Sequence, residues 1–564
     1  MQHSSAVLFL AVTICSQAYA GNLKIASDLI SRDPNTTVDV IVQFNAAPTG
    51  KHHQKIQAKG GTFKAGLDTV NGALYSVPAA AIGQLANDPD VAYISADRPV
   101  AASSYEYAPP AINGDIAWKY AWDGRGIGVA VVDSGIGNHL DLWSGMQSRV
   151  VYAQSFVPGD ASTADKFGHG THVAGLIGGN GFSSTGSFFT NTIKGVAPAV
   201  NFINLRVLDN NGQGTDSAVI AALQQAIALK SAYNIRVINL SLGRPVYESY
   251  QTDPLCQAVE KAWKAGIVVV VAAGNEGRNN TFGTNGYGLI ASPGNDPSVI
   301  TVGAMRTMGT AARTDDLITS YSSKGPAAID HVVKPDLVAP GNLLGSLLAN
   351  FGFSITTYPA NVIPLSDYVN TTSTFPSPSY YKLSGTSMAA AVASGAAALL
   401  LEKDGSLSPD TVKARLMKTA TKSFPAFSTA TDPVTGQTFT SQYDLFTIGA
   451  GYLDVWAALS NTDVAQKAAL SPTARYDATS GNVYLVFANT AVWGTNALWG
   501  STAVWGTNAL WGSNALWGST AVWGTSTTQG FTAVWGTNAL WGSNALWGSN
   551  ISSEAINIAV YGDK

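Results

Sequence analysis

GVAVVDSGI, residues 128–136, is an apolar run that ends on an acid, a small polar residue and a glycine. A strand with one wet face alternates apolar and polar residues; this run does not, so it reads as a strand buried on both faces. Asn201–Val207 (NFINLRV), Val237–Leu240 (VINL), Ile267–Ala272 (IVVVVA) and Val299–Val302 (VITV) have the same character. Between them, Asp216–Ala232 reads as a helix with Thr215 or Asp216 available as its N-cap. A second helix is expected around Cys256, where Leu255, Val259, Ala262 and Trp263 recur at helical spacing. Strands alternating with helices from about Ile112 to Leu459 predict an α/β domain, a parallel sheet covered by helices. Sites in such domains form at the carboxyl edge of the sheet, where Asp133 falls.

The chain of 564 residues is long enough for several domains, and its 46% hydrophobic content supports a large core. Only 12% of residues are charged and the net charge is −4, with no basic stripe, which argues against a nucleic-acid partner. Residues 6–14 (AVLFLAVTI) followed by Ala18-Tyr19-Ala20 have the apolar core and small-x-small ending of an export signal, so residues 1–20 are expected to be removed and the protein secreted. Cys15 leaves with that segment. Cys256 then remains as the sole cysteine, unable to form an internal disulfide and expected to be a packed thiol.

Residues 21–103 are expected to form a small α+β unit, with a strand at Val38–Phe44 (VDVIVQF), another within Ala73–Val77, a short helix around Ala80–Ala86 and a strand at Val91–Ser95. Residues 104–460 carry the α/β domain and 461–490 read as a linker. From Ala491 to Gly548 a hexapeptide, Ala-Val/Leu-Trp-Gly-Ser/Thr-Asn/Thr, recurs and holds nine of the 14 tryptophans, Trp493 to Trp547. Glycine at every sixth position weakens a helix, whereas an even period in extended chain keeps the rings on one face, so the region 491–564 is expected to be β. One-sided aromatic rings suit a core, a glycan or cell surface, or self-association.

Three short strings carry the chemistry. Asp133 ends the first strand, His169 opens HGTHVAGLIGG, and Ser387 lies in LSGTSMAAAVASGAAALLLE, whose Ala/Gly content predicts a buried helix starting near the serine. An acid, a base and a hydroxyl in the order Asp, His, Ser are the parts of a nucleophilic triad, and only tertiary structure can unite residues so far apart in sequence. Each alone has a plainer role: a turn cap for Asp133, a helix N-cap for Ser387. His172, one turn after His169, is read as structural.

Together VVDSGI, HGTHVAG and SGTSMA resemble the subtilase family of serine proteases. The resemblance implies a three-layer α/β/α domain and a secreted serine endopeptidase made as a zymogen, acting on polypeptides, with Asp133, His169 and Ser387 as triad. It makes residues 21–103 a propeptide, chaperone and inhibitor of its own domain, cleaved near Ala101–Pro109. By the same resemblance, Asn275 in AAGNEG is the side-chain donor of an oxyanion hole. Ser241-Leu242-Gly243 and Ala272-Ala273-Gly274 flank the primary specificity pocket, Ala291 lies at its base, and Gly212-Gln213-Gly214 pairs with substrate backbone. These residues imply a roomy, apolar pocket. Asp141 matches a calcium ligand of the family, with the loop 180–192 expected to supply the other oxygens.

Two departures stand out. The family usually has proline four residues after the nucleophile and histidine next, whereas this chain has Ala391 and Val392, so its helix can run unkinked. A Pro/Ser/Thr-rich stretch between Gly341 and Tyr380 is expected to be a surface loop beside the site. Sedolisins, which also use a GTS serine, lack the HGTH base. The alternative from another class is a binding or surface-assembly protein acting through the Trp repeat.

Overall fold

The computed structural model describes residues 24–26, 29, 33–97, 105–281, 283–349, 356–477, 482–486 and 553–563. The expected export signal at 1–20 and the hexapeptide repeat at 491–548 lie outside these residues. The chain forms two compact units, 1–102 and 103–564.

In the first unit, four antiparallel strands lie in the spatial order Thr62–Leu67, Gly72–Pro78, Thr37–Phe44, Val91–Ala96. Alternation explains the central strand: Val40, Val42 and Phe44 are buried, and they meet Tyr75, Val77 and Ile94 in one core. Ile82 and Leu85 of the helix Ile82–Ala86 join that core. The helix Gly50–Gln57 and the strand Thr62–Leu67 were not foreseen: the strand has no buried residue and the helix buries only Ile56, so neither has a strong apolar period.

The second unit is built on parallel strands β1 (Gly128–Asp133), β2 (Val150–Ser155), β3 (Asn201–Arg206), β4 (Ile235–Leu240), β5 (Val268–Ala272), β6 (Ile300–Arg306) and β7 (Leu337–Pro340). Their spatial order is 2-3-1-4-5-6-7, with a short antiparallel strand, Leu317–Ile318, also on β6. β1, β5 and β7 are buried at every position, as their continuous apolar runs require. Four helices cover the sheet: α1 (His169–Gly178), α2 (Asp216–Tyr233), α3 (Pro254–Lys264) and α4 (Thr386–Lys403). α1 packs on α4 and α2 on α3, which gives the three-layer α/β/α arrangement. Thr215 caps α2 by accepting the Ala218 N–H, and Asp253 caps α3 through the Leu255 N–H.

The strand order reverses at β1, so the crevice at its carboxyl end is the expected site position. α4 runs unbroken for 18 residues, with Ala391 and Val392 fully buried where the family usually has proline and histidine.

The second unit extends beyond the expected boundary at 460. In place of a linker, Thr473–Asp477 and Asn482–Val486 form a hairpin, and residues 472–474 pair with Val333 and His331. Within the region expected to be β, Ser553–Tyr561 is a helix. NVYLV and SEAINIAVY are short runs beside a long repeat, and the helix meets Asn361 and Ser384, nearly two hundred residues upstream. Among the described residues, no helix is long and apolar enough to cross a membrane.

Candidate active site

Asp133 is the last residue of β1 and is fully buried. Its Oδ1 accepts the His169 Nδ1–H at 2.8 Å and the Ser134 backbone N–H at 2.7 Å. The approach is possible because α1 begins His-Gly: a Cβ on Gly170 would lie 2.2 Å from the Gly135 carbonyl and 3.1 Å from Asp133. Burial works against charge on the His169 imidazole and is the largest influence on it. The Asp133 carboxylate, by charge and hydrogen bond, and Asp165 together outweigh it and raise the His169 pKa above its ordinary 6.5.

A second buried carboxylate supports the pair. Asp165 accepts from Ser134 Oγ at 2.9 Å, from the N–H groups of Phe167, Gly168 and Thr171, and from Thr171 Oγ1 at 2.6 Å. Ser134 Oγ in turn accepts the Gly170 N–H at 2.9 Å, which ties the end of β1 to α1. Sequence reading missed Asp165; its signal was an acid four residues before the histidine in a glycine-rich turn. His172 is buried with its Nε2 on the Leu344 carbonyl at 3.0 Å, and burial with the neighbouring His169 lowers its pKa to about 3. It stays neutral and structural.

Ser387 stands in the first turn of α4, nearly inaccessible, with Oγ donating to the Ser241 carbonyl at 3.1 Å. Ser241 Oγ returns a bond to the Ser387 carbonyl at 2.8 Å and accepts from Asn239 Nδ2 at 2.9 Å. Ser394, two turns further along α4, donates to Asn239 Oδ1 at 2.9 Å. Asn239 and Ser394 were also missed, although a polar residue inside VINL is a visible break in an apolar strand.

Asn275 follows β5. Its Oδ1 accepts both the N–H and the hydroxyl of Thr386, and its buried Nδ2 has no acceptor among the described residues, though it lies beside Gly385. A buried amide donor without a partner is costly unless something else accepts from it. It faces the N-terminus of α4, where backbone N–H groups also favour negative charge.

Gly243, Gly274 and Ala291 meet: a Cβ on Gly243 would sit 2.9 Å from that of Ala291, and one on Gly274 would sit 3.4 Å from it. The wall is held by Ala291 N–H to the Ala273 carbonyl at 3.0 Å and by Arg244 and Ser292 exchanging backbone bonds. Gly212-Gln213-Gly214 lies in the connection from β3 to α2, with Gly212 against the ring of Phe167, two residues before His169. Cys256 is a buried free thiol beside Asn295, as expected of a packed residue.

Structural calcium is common in the resembled family, but Asp141 is not arranged to hold it. Oδ1 accepts the Ser183 N–H at 2.8 Å and Oδ2 the Tyr380 hydroxyl at 2.7 Å, while Arg149 occupies the Asp141 carbonyl at 2.6 Å. Hydrogen-bond donors and a guanidinium thus fill the places where a calcium ion needs oxygen ligands. Among the described residues, no group of three acidic, histidine or cysteine side chains could hold a metal. The expected ligand role of Asp141 is therefore corrected to that of a hydrogen-bonded hub.

The subtilase family pattern matches residues 124–445. Serine protease AprX of Bacillus subtilis is 38% identical over 307 residues, 53% of this chain and 62% of AprX, so the chain spans just under two thirds of that relative. Subtilisin E of Bacillus subtilis is 32% identical over 419 residues, covering 74% of this chain and 92% of subtilisin E, and subtilisin DY of Bacillus licheniformis is 35% identical over 321 residues, covering 57% and 93%. The chain belongs to the subtilase family and is a subtilisin-like serine endopeptidase.

Proposed function

We propose that Asp133, His169 and Ser387 form the catalytic triad of this endopeptidase and that Asn275 completes its oxyanion hole. The observation that carries the reading is the buried Asp133 to His169 contact at 2.8 Å, on a helix packed directly against the one that bears Ser387. Asp133 holds the Nδ1–H and favours the imidazolium. Ser387 Oγ leaves the Ser241 carbonyl, gives its proton to His169 Nε2 and attacks the scissile carbonyl carbon. Asn275 Nδ2 and the Ser387 N–H donate to the resulting oxyanion. Collapse breaks the C–N bond as the imidazolium returns the proton to the leaving amine. A water then repeats the sequence on the acyl-enzyme, its proton passing through His169 back to Ser387.

Main-chain pairing at Gly212-Gln213-Gly214 and Ser241-Leu242-Gly243 would hold an extended substrate with little sequence demand. The Gly/Ala walls at Gly243, Gly274 and Ala291 favour an apolar side chain. In this reading the chain is exported and made as a zymogen, with residues 21–103 as its inhibitory propeptide. Wild type and Ser387→Ala chains, compared for casein cleavage and product mass, test it: wild type sheds the first unit and cleaves casein, and Ser387→Ala does neither.

A further inference from the structure

The helix Ser553–Tyr561 and the two residues after it belong to no expected part of the catalytic unit, yet they reach both strands of chain that build the site. Asp563 is 1% exposed, and its Oδ1 accepts from Arg278 Nη2 and Ser320 Oγ, both at 2.7 Å. Its Oδ2 accepts the Ser320 N–H at 2.6 Å. Arg278 lies three residues after Asn275, on the same loop. On the other side, the Ala559 carbonyl accepts the Ser384 N–H at 2.9 Å, three residues before Ser387.

Asn342 holds the backbone of Asp563, and the next residue, Leu343, donates its N–H to Ser384 Oγ at 2.8 Å. Asn342 Oδ1 accepts the Asp563 N–H at 2.8 Å, and its Nδ2 donates to the Asp563 carbonyl at 3.3 Å. Gly562 is required where the segment turns into this crevice: φ is +58°, and a Cβ would fall 2.3 Å from Asn342 Oδ1 and 2.6 Å from Ser384 Oγ. Ile558 and Val560 are buried on the same surface. A charge as deeply buried as Asp563 is tolerated only with its partners in place, so the segment has one well-defined seat.

We propose that residues 553–563 are a brace that positions the oxyanion loop relative to the nucleophile, with Asp563 and Arg278 as positioning residues. The proposal rests on the assignment of Asn275 and Ser387 above. An oxyanion hole works only when its donors are aimed before the charge develops, and Asn275 is aimed from a loop whose far end is pinned by Asp563. The hairpin before the hexapeptide repeat and this segment after it both sit on the catalytic unit.

The test uses full-length chains carrying Asp563→Ala, Gly562→Val or Ser387→Ala, with active sites counted by an irreversible serine-directed phosphonate. A merely structural segment changes melting temperature and the number of titrated sites, but not turnover per site. The brace predicts that Asp563→Ala and Gly562→Val lower kcat per titrated site by about 10-fold or more, short of the roughly 10²–10³ typical of deleting a donor, with KM within about twofold. A peptide boronate, which mimics the tetrahedral intermediate, weakens in step, while a cleaved-peptide product binds unchanged. Unchanged turnover per site in both variants, with Ser387→Ala inactive, overturns the brace alone. Activity in Ser387→Ala overturns the site assignment and the brace with it.

Discussion

Thr386 grips Asn275 with two hydrogen bonds, its N–H at 2.9 Å and its hydroxyl at 3.0 Å, both to Oδ1. The amide is thereby fixed so that Nδ2 is its remaining donor. Asn275→Ala is expected to lower kcat by about 10²–10³ with little change in KM, the loss known for the equivalent change in a subtilisin. Thr386→Val removes one of the two bonds and should cost less than Asn275→Ala. Steady-state kinetics on a chromogenic peptide checks both.

In the proposed triad His169 must be neutral to accept the Ser387 proton. Because its pKa lies above 6.5, kcat/KM should rise with pH through a midpoint above that value. Asp133→Asn removes the larger of the two charges that raise it and leaves burial, which lowers it, opposed only by Asp165. Activity should drop by about 10⁴ while the midpoint of what remains moves to lower pH. A pH profile that falls in height without moving would contradict this account.

Tyr380 takes the place of a cation at Asp141. Tyr380→Phe deletes the donor and leaves a buried carboxylate oxygen unsatisfied, a destabilisation of about 1–3 kcal/mol. Urea unfolding of the inactive Ser387→Ala chain should show that loss to be the same with and without a calcium chelator. A chelator that destabilises the Tyr380 chain and spares the Phe variant would restore a metal to this position.

Gly243 faces Ala291 across 2.9 Å of projected Cβ separation, so any side chain there intrudes on the wall. Gly243→Val is expected to reduce kcat/KM at least about 10-fold for peptides with Phe or Leu before the scissile bond, and much less for those with Ala there. Competition between the two peptides reads the ratio directly. Equal losses would mean that the glycine does not border the specificity pocket.

Much of this protein was legible in the chain itself. Fully apolar runs such as GVAVV and IVVVVA can be stable only between two covered faces, so the parallel sheet followed from them, and the three strings followed by resemblance. What escaped were groups whose role depends on partners distant in sequence: Asp165, the Asn239 and Ser394 chain, and the hairpin beyond residue 472. Asp141 shows the opposite failure. Its string matched a family ligand, but whether a carboxylate binds calcium or a tyrosine is decided by what Tyr380, Ser183 and Arg149 bring to it from elsewhere.

The sequence alone determined a parallel sheet covered by helices and, by resemblance, the family and the candidate reacting groups, because burial period and residue chemistry are local properties. Tertiary structure alone decided that Asn275 is held by Thr386, that Asp141 is closed by hydrogen bonds, and that Asp563 sits beside Arg278. Hydrogen bonds and buried charges depend on distances of about 3 Å between residues hundreds of positions apart, and no local pattern encodes those distances.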